Sequence, residues 1–134
     1  MSEDKTTVLH EHVKAGDLKG VEKLILRRTS SLGERDEQHR TALHLSVLHN
    51  KLDILEWLLT ARTNRVLKSA LDINAVDMEG NSALHVAFST LNLPAATMLL
   101  KDDASLYLPN HSGDTPLFVL FRNLHTLPEE NLSV

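Results

Sequence analysis

The sequence contains no cysteine among its 134 residues, which excludes a disulfide-bonded scaffold, a thiolate metal site and a cysteine nucleophile. No run of apolar residues approaches the ~18 that a membrane-spanning helix needs. The polar residues 1–7 lack the apolar core of a secretory signal. We therefore expect a soluble protein of the cytoplasm, with the nucleus as a second location.

The signatures of common enzyme and metal sites are also missing. Gly16 and Gly20 are too sparse to cradle a phosphate, and neither an H-E-x-x-H motif nor a nucleophile elbow occurs. The nearest approach to a metal pair is His10 with His12, but residues two apart on a helix point in different directions. The sequence thus predicts no catalytic residue, no cofactor and no metal ligand.

Composition and charge are those of an ordinary folded domain. Apolar residues make up 42% and charged residues 24% of the chain, and the formal net charge is −4. An acidic protein is not attracted to nucleic acid as a whole, so a nucleic-acid partner is disfavoured. The segment 62–71 is an exception, because it carries Arg62, Arg65 and Lys68 and no acidic residue. These three cations are a candidate contact for an anionic lipid or nucleic acid.

A short internal repeat organises the whole chain. Four similar tetrads begin at Thr7, Thr41, Ser82 and Thr115, with spacings of 34, 41 and 33 residues. The long interval exceeds the 33-residue period by eight residues, which fall within 62–71. We expect that segment to form an exposed extension, since surface insertions cost little stability.

Each tetrad opens a segment whose apolar residues recur at helical spacing, and a second such segment follows. In the second copy these are Leu43 with Val47, then Leu55 with Leu58. Helices of about ten residues are marginal alone in water. Stacking the copies would bury one continuous core, which predicts a single solenoid domain.

The tetrads Thr41-Ala42-Leu43-His44 and Ser82-Ala83-Leu84-His85, their period and the run Asp72-Ile73-Asn74-Ala75 resemble the ankyrin-repeat family. The resemblance implies a mainly α solenoid of three full repeats and a truncated fourth, with short β-hairpin fingers between them. A single domain over 1–134 would hold repeats at about 4–35, 36–76 with an insertion near 62–71, 77–109 and 110–134.

The resemblance also implies roles for the tetrads. Their first residue would cap the first helix of each repeat. His10, His44 and His85 would bond to backbone groups of the finger and of the neighbouring repeat. The chain departs from the family pattern at several positions. Lys5 and His39 replace the finger glycine that Gly80 and Gly113 match, so we expect reshaped fingers there, because positive φ is unfavourable for other residues.

Further departures concern the turns and the fourth repeat. Leu91 and Leu124 replace the usual inter-helix glycine, which predicts turns different from those at Gly16 and Asn50. Phe118 replaces the tetrad histidine, so the fourth copy loses that bond and gains apolar area.

In ankyrin repeats, partners most often meet the concave side built from finger tips and first helices. Carried onto matching positions, this gives a predicted partner face whose members lie outside the apolar stripe. The face comprises Lys14, Glu37, Gln38, Arg40, Leu48, His49, Met78, Glu79, Asn81, Ser89, Thr90, His111, Ser112, Asp114, Arg122 and Asn123.

A separate motif, Arg27-Arg28-Thr29-Ser30, resembles the recognition sequence of basophilic protein kinases, which makes Ser30 a candidate phosphorylation site. The sequence as a whole predicts a non-catalytic scaffold or adaptor module that binds another protein. The alternative is a targeting or regulatory ankyrin segment of a larger signalling protein or enzyme. The sequence names no partner.

Overall fold

The computed structural model of the chain describes residues 7–125. Within this range the chain is helical. In order, the elements are α1 (Val8–Ala15), α2 (Leu18–Arg27), a 3₁₀ helix (Thr29–Gly33), α3 (Ala42–Leu48), α4 (Leu52–Ala61), α5 (Arg65–Ala70), α6 (Ala83–Ser89), α7 (Leu93–Lys101) and α8 (Pro116–His125).

The first residue of each tetrad caps a helix, as predicted. The hydroxyl oxygens of Thr7, Thr41 and Ser82 accept the backbone N–H three residues later, at 3.2, 3.5 and 3.3 Å. Thr115 accepts the N–H of Phe118 in the same way at 3.1 Å. Each bond satisfies one of the donors that the first helical turn leaves without a partner. The tetrads therefore fix where α1, α3, α6 and α8 begin.

The helices form two layers. Helices α1, α3, α6 and α8 pack in succession against one another, and α2, α4 and α7 pack beside them. Three antiparallel pairs, α1 with α2, α3 with α4 and α6 with α7, connect the layers. The core between them contains Leu9, Leu43, Leu55, Leu84 and Leu99, all essentially inaccessible to solvent. Each pair is too short to be stable alone and buries its apolar face against its neighbours.

The turns between paired helices share one conformation. Gly16, Asn50 and Leu91 all lie in the left-handed region, with φ of 74°, 55° and 54°. The expectation that Leu91 would alter its turn is therefore wrong. Backbone bonds hold the turn at Leu91, including Asn92 N–H to Ala87 O at 2.7 Å. The equivalent bond in the turn at Asn50 is Lys51 N–H to Ser46 O, also at 2.7 Å. These bonds compensate for an aliphatic residue at positive φ.

The expected β-hairpins at the fingers are not confirmed, because residues 7–125 contain no strand. Each finger is a tight turn, and neighbouring fingers share single backbone bonds rather than a ladder. His39 adopts φ of 61°, beside 81° for Gly80 and 84° for Gly113, so its finger is formed and not reshaped. Lys5 lies outside the described residues.

The insertion is packed rather than extended into solvent, which corrects the prediction for 62–71. Arg62 is 8% exposed, and Leu71 is 1% exposed. The Nε–H of Arg62 donates to Leu71 O at 2.9 Å, and its guanidinium forms an ion pair with Asp102. Helix α5 packs against the 3₁₀ helix. Arg62 at the start of the insertion and Leu71 at its end are thus both buried and bonded to each other. Arg62 is therefore not an exposed cation for an anionic partner.

The fourth copy differs from the others. Helix α8 runs through Asn123 and Leu124, where α3 and α6 have already ended, so the predicted turn at Leu124 is absent. Phe118 is half exposed, with the Arg122 guanidinium 5.6 Å from its ring centroid. The apolar side chain gained at this position is therefore not enclosed. Residues 126–134 lie outside the described range.

Candidate partner-binding site

The fingers are built on three equivalent side chains, Asp36, Asp77 and Asn110, of which the sequence pattern marked the loops at Asp77 and Asn110 but not the one at Asp36. One oxygen of Asp36 accepts the N–H groups of Gln38 and Arg40, at 3.0 and 2.8 Å. Asp77 and Asn110 do the same for the residues two and four positions later, each at 2.9 Å. Short polar side chains commonly fold the backbone in this way. Their signal was present, since an Asp or Asn stands five residues before the tetrad in three copies.

Charge reinforces the first of these turns. The Nε–H of Arg40 donates to the second oxygen of Asp36 at 2.8 Å, and this carboxylate is buried. Burial alone would raise the pKa of Asp36, but the backbone and guanidinium hydrogen bonds from Arg40 outweigh it and lower the pKa. The carboxylate is therefore held ionised within the turn.

Histidines attach the fingers to the helices, as the resemblance implied. The Nε2–H groups of His10, His44 and His85 donate to Arg40 O, Asn81 O and Asp114 O, at 3.0, 2.7 and 2.9 Å. In α3 and α6 the Nδ1 atom accepts the N–H of the capping residue, at 3.1 and 3.0 Å. Because Nδ1 accepts, the ring is neutral with its proton on Nε2. Burial lowers the pKa of all three histidines.

Finger tips are tied to one another across repeats. The N–H of Met78 donates to Gln38 O at 2.9 Å, and the N–H of His111 donates to Glu79 O at 3.0 Å. The structure therefore brings the predicted finger residues of successive copies into one continuous row. The side chains of His10 and His12 have different neighbours. His10 Nε2 lies 3.0 Å from Arg40 O, whereas His12 Nδ1 lies 3.1 Å from Asp17 Oδ2. Residues 7–125 hold no group of three or more His, Cys, Asp or Glu able to bind a metal.

A groove lies beside the ends of the first helices. Asn92 is one of its lining residues, and its amide donates to Val47 O at 3.3 Å and to Asn50 Oδ1 at 3.1 Å. The groove is an open cavity of about 430 Å³. It is lined by Val47, Leu48, Asn50, Leu52, Thr90, Leu91, Asn92 and Pro94.

The sixteen residues of the predicted partner face all retain some exposure. Exposed are Glu37, Gln38, Leu48, His49, Met78, Glu79, Ser89, Thr90, His111, Ser112 and Arg122. Half-buried are Lys14, Arg40, Asn81, Asp114 and Asn123. Burial of the apolar stripe therefore leaves this set at the surface.

Several members of the face are occupied by internal bonds. Asn81 Oδ1 accepts the Asn110 amide at 2.8 Å, and Asp114 forms an ion pair with Arg122 at 2.9 Å. The Asn123 amide donates to Phe88 O and Ser89 O at 2.9 and 3.2 Å, which closes the end of α6. Their polar groups are thus committed to the scaffold, which the sequence did not reveal.

A positive field surrounds His49 at the amino-terminal end of the face. Burial lowers the pKa of His49, and the charges of Lys14, Arg40 and Lys51 lower it further. These three cations come from α1, the second finger and the turn before α4. Arg40 is already paired with Asp36, so Lys14 and Lys51 are the cations near His49 that remain for a partner, and Leu48 directly precedes His49 in the chain.

Comparison with known proteins agrees with this architecture. A family model for ankyrin repeats in many copies matches residues 9–59. The chain is 38% identical over 114 residues to mouse neurogenic locus notch homolog protein 1, covering 84% of this chain and 4% of that protein. The identity to the human homolog is 37%, again over 114 residues, which are 84% of this chain and 4% of that protein. A putative ankyrin repeat protein of Rickettsia bellii is 31% identical over 87 residues, 64% of this chain and 44% of that protein.

The ankyrin repeats predicted from the tetrads are confirmed by these matches. Ankyrin repeats are protein–protein interaction modules, and the family is generally non-catalytic. No helix in the described part of this ankyrin chain is long and apolar enough to cross a membrane.

The two remaining predicted sites lie away from the face. Ser30 is exposed in the 3₁₀ helix that follows α2. Arg65 and Lys68 are exposed on α5, whereas Arg62 is buried. The cationic patch expected at the insertion is thus reduced to the two residues of α5.

Proposed function

We propose that this chain is a non-catalytic ankyrin module whose partner protein binds the finger tips and the first-helix ends. The observation that carries the proposal is the exposure of two apolar side chains on an otherwise polar face. Leu48 is 40% exposed, and Met78 is 55% exposed. Interfaces typically combine an apolar centre with a polar rim. Variable surface on a repeated scaffold is how solenoids present binding sites.

The groove next to Leu48 provides a place for an apolar side chain of the partner. Its lining includes Leu52, Leu91 and Pro94, together with Asn92, whose amide is bonded to Val47 O and Asn50 Oδ1. A lining side chain that is already hydrogen-bonded adds little to the entropy cost of binding. The cations around His49 favour an acidic residue beside that anchor. The proposed partner segment therefore combines a large apolar residue with a carboxylate.

Affinity capture from cell extract tests the site, with the double variant Leu48→Glu/Met78→Glu compared with the unmodified chain. A matched control is Leu26→Glu/Leu100→Glu, which places the same change on exposed leucines of α2 and α7, 80% and 37% exposed. We expect the first variant to lose the captured protein and the control to retain it, with both keeping the helical circular dichroism of the parent. Capture kept by the first and lost by the control would place the site on the second helices.

A photo-crosslinker introduced at Met78, and separately at Leu26, gives an independent readout. The partner should crosslink from position 78 and not from position 26. A peptide of the crosslinked partner that carries neither an apolar anchor nor an acidic residue would contradict the proposed chemistry.

The alternative, in which these repeats are part of a larger signalling protein or enzyme, has its own support. The chain spans about 4% of the length of the notch homologs that it matches, so similar repeats occur in much longer proteins. Sequencing the full transcript separates the two proposals, since it shows whether coding sequence continues beyond Val134 and into what kind of domain.

A further inference from the structure

Ser30 lies at the surface of a segment that otherwise packs inward. It is exposed within the 3₁₀ helix Thr29–Gly33, whereas the next hydroxyl, Ser31, is 2% exposed and Leu32 is fully buried. Arg27 and Arg28 precede it directly and are also exposed. An enzyme that approaches from solvent therefore meets two arginines and then the Ser30 hydroxyl.

Helix α5 of the insertion packs against this segment. The two elements are in contact, and a Cβ atom at Gly33 would come within 2.9 Å of Ala70 O. The α5 helix holds two exposed cations, Arg65 and Lys68, and no acidic residue. The sequence could not show this neighbourhood, because the insertion was expected to extend away from the domain.

Four cations consequently belong to elements that flank Ser30. Arg27 ends α2 and Arg28 follows it, directly before Thr29 and Ser30, whereas Arg65 and Lys68 lie on α5, which contacts the 3₁₀ helix. Among residues 7–125, the ion pairs of arginine and lysine are formed by other residues, namely Arg40 with Asp36, Arg62 with Asp102 and Arg122 with Asp114. The four flanking cations therefore have no carboxylate partner within the described residues, and they favour an anion at this position.

We propose that Ser30 is phosphorylated by an arginine-directed protein kinase and that the phosphate then links α2 to α5. A separate kinase supplies the chemistry from ATP. The Ser30 oxygen forms a bond to the γ-phosphorus, the bond from that phosphorus to the bridging oxygen breaks, ADP leaves, and the hydroxyl proton passes to the base of the kinase. Arg27 and Arg28 are the recognition residues for that enzyme.

The segment can open to admit a kinase. Backbone bonds at its two ends run from Ser31 N–H to Arg28 O at 3.0 Å and from Glu34 N–H to Ser31 O at 3.1 Å. Short 3₁₀ helices have poor hydrogen-bond geometry, but full opening of this one would also expose the buried Leu32. After closure, a phosphate with about −1.5 to −2 charges forms charge-assisted hydrogen bonds with the flanking cations. The modification would thereby fasten the insertion to the first repeat.

The test treats the folded 134-residue chain with ATP and an arginine-directed serine/threonine kinase, and maps the product by mass spectrometry. We expect one phosphate, on Ser30. It should be lost in Ser30→Ala and kept in Ser112→Ala, an exposed serine that no arginine precedes. Arg27→Gln/Arg28→Gln should slow incorporation about tenfold or more. Modification of Thr29 instead, or failure of the folded chain under conditions that modify an isolated peptide of residues 24–35, would overturn the assignment.

The link to α5 is tested on the phosphorylated protein. Phosphorylation should raise the Tm by about 2–6 °C, and 0.5 M salt should reduce that rise. In Arg65→Gln/Lys68→Gln the site should still be modified, but the rise should disappear. An equal rise in this variant would show that α5 does not hold the phosphate, and a fall in Tm would show that the phosphate disrupts the segment.

Discussion

The imidazole of His44 joins two successive repeats, because its Nε2–H donates to the carbonyl oxygen of Asn81 at 2.7 Å while its Nδ1 atom accepts the N–H of Thr41 at 3.1 Å. Both ring nitrogens are thus occupied, and the ring is 1% exposed. Protonation at Nδ1 would replace an acceptor with a donor facing a donor. The bond that His44 accepts from the capping residue of its own helix therefore requires neutral histidine.

This requirement predicts that stability falls in mild acid. Burial lowers the pKa of His10, His44 and His85 from the ordinary value of 6.5, so below that pH the unfolded chain binds more protons than the folded one. The stabilisation is complete above pH 6.5 and is lost as the pH falls toward the lowered values. Urea unfolding between pH 5 and 8 should show a loss of at most about 1.4 kcal/mol per pH unit for each histidine.

Two substitutions identify the source of that loss. His44→Gln should flatten the pH dependence, since glutamine does not titrate and can still serve in the capping box. His49→Gln removes an exposed histidine whose pKa is also lowered, and it measures what a ring outside the core contributes to the slope. Asp36 does not contribute in this window, because its pKa is lowered from 3.8. A slope unchanged by His44→Gln would contradict the assigned role.

The core predicts a large cost for truncating a central leucine. Leu58 on α4 is fully buried, and α4 packs against both α2 and α7. Leu58→Ala should lower the free energy of unfolding by ~2–5 kcal/mol through lost burial and an unfilled cavity. Leu26→Ala, at an 80% exposed site, should change it by less than about 0.5 kcal/mol. Chemical denaturation of both variants provides the measurement, and equal effects would disprove the assigned helix faces.

The sequence predicted the features that repeat. Thr41, Ser82 and their equivalents cap helices, and His10, His44 and His85 bond to the following finger, because each copy places the same side chain in the same local setting. The caps join residues three positions apart, whereas the histidine bonds join residues 30, 37 and 29 positions apart. Both were expected from the resemblance of the tetrads to ankyrin repeats.

The features that failed depend on long-range packing. Arg62 was expected to be a solvated cation, yet its side chain is bonded to Leu71 O and paired with Asp102. It belongs to an insertion that has no counterpart in the other copies, so the repeat pattern could not predict these contacts. Asn123 bonds to Phe88 O, 35 residues earlier in the chain. Leu91 adopts a positive φ that is unfavourable for leucine, in a turn that backbone bonds hold in place. The partner face itself stays a prediction. Its residues are exposed, but exposure shows availability and not occupancy.

The second finger predicts a stabilising substitution. His39 is exposed at φ of 61°, a conformation that costs a non-glycine residue on the order of 1 kcal/mol, and glycine occupies the matching positions 80 and 113. His39→Gly should raise the free energy of unfolding by up to about 1 kcal/mol, reduced by the greater freedom of glycine in the unfolded chain. His39→Ala keeps the strain and should bring no gain. A Tm that rises equally in both variants would show that the imidazole, and not the backbone, is the cause.

The ion pair of Arg62 and Asp102 predicts that the insertion contributes to stability. Asp102→Ala would leave a guanidinium that is 8% exposed with the Leu71 carbonyl and the more distant charges of Asp72 and Asp103. We expect a loss of about 1–3 kcal/mol, less than for a fully buried pair because the Asp102 side chain is 36% exposed. Arg62→Met/Asp102→Ala should recover part of that loss, since removing both charges costs less than stranding one. A double-mutant cycle in urea measures the coupling. Strictly additive effects would mean that solvent screens the pair, and that the buried Leu71 and the partly buried Leu67 hold the insertion in place without help from this pair.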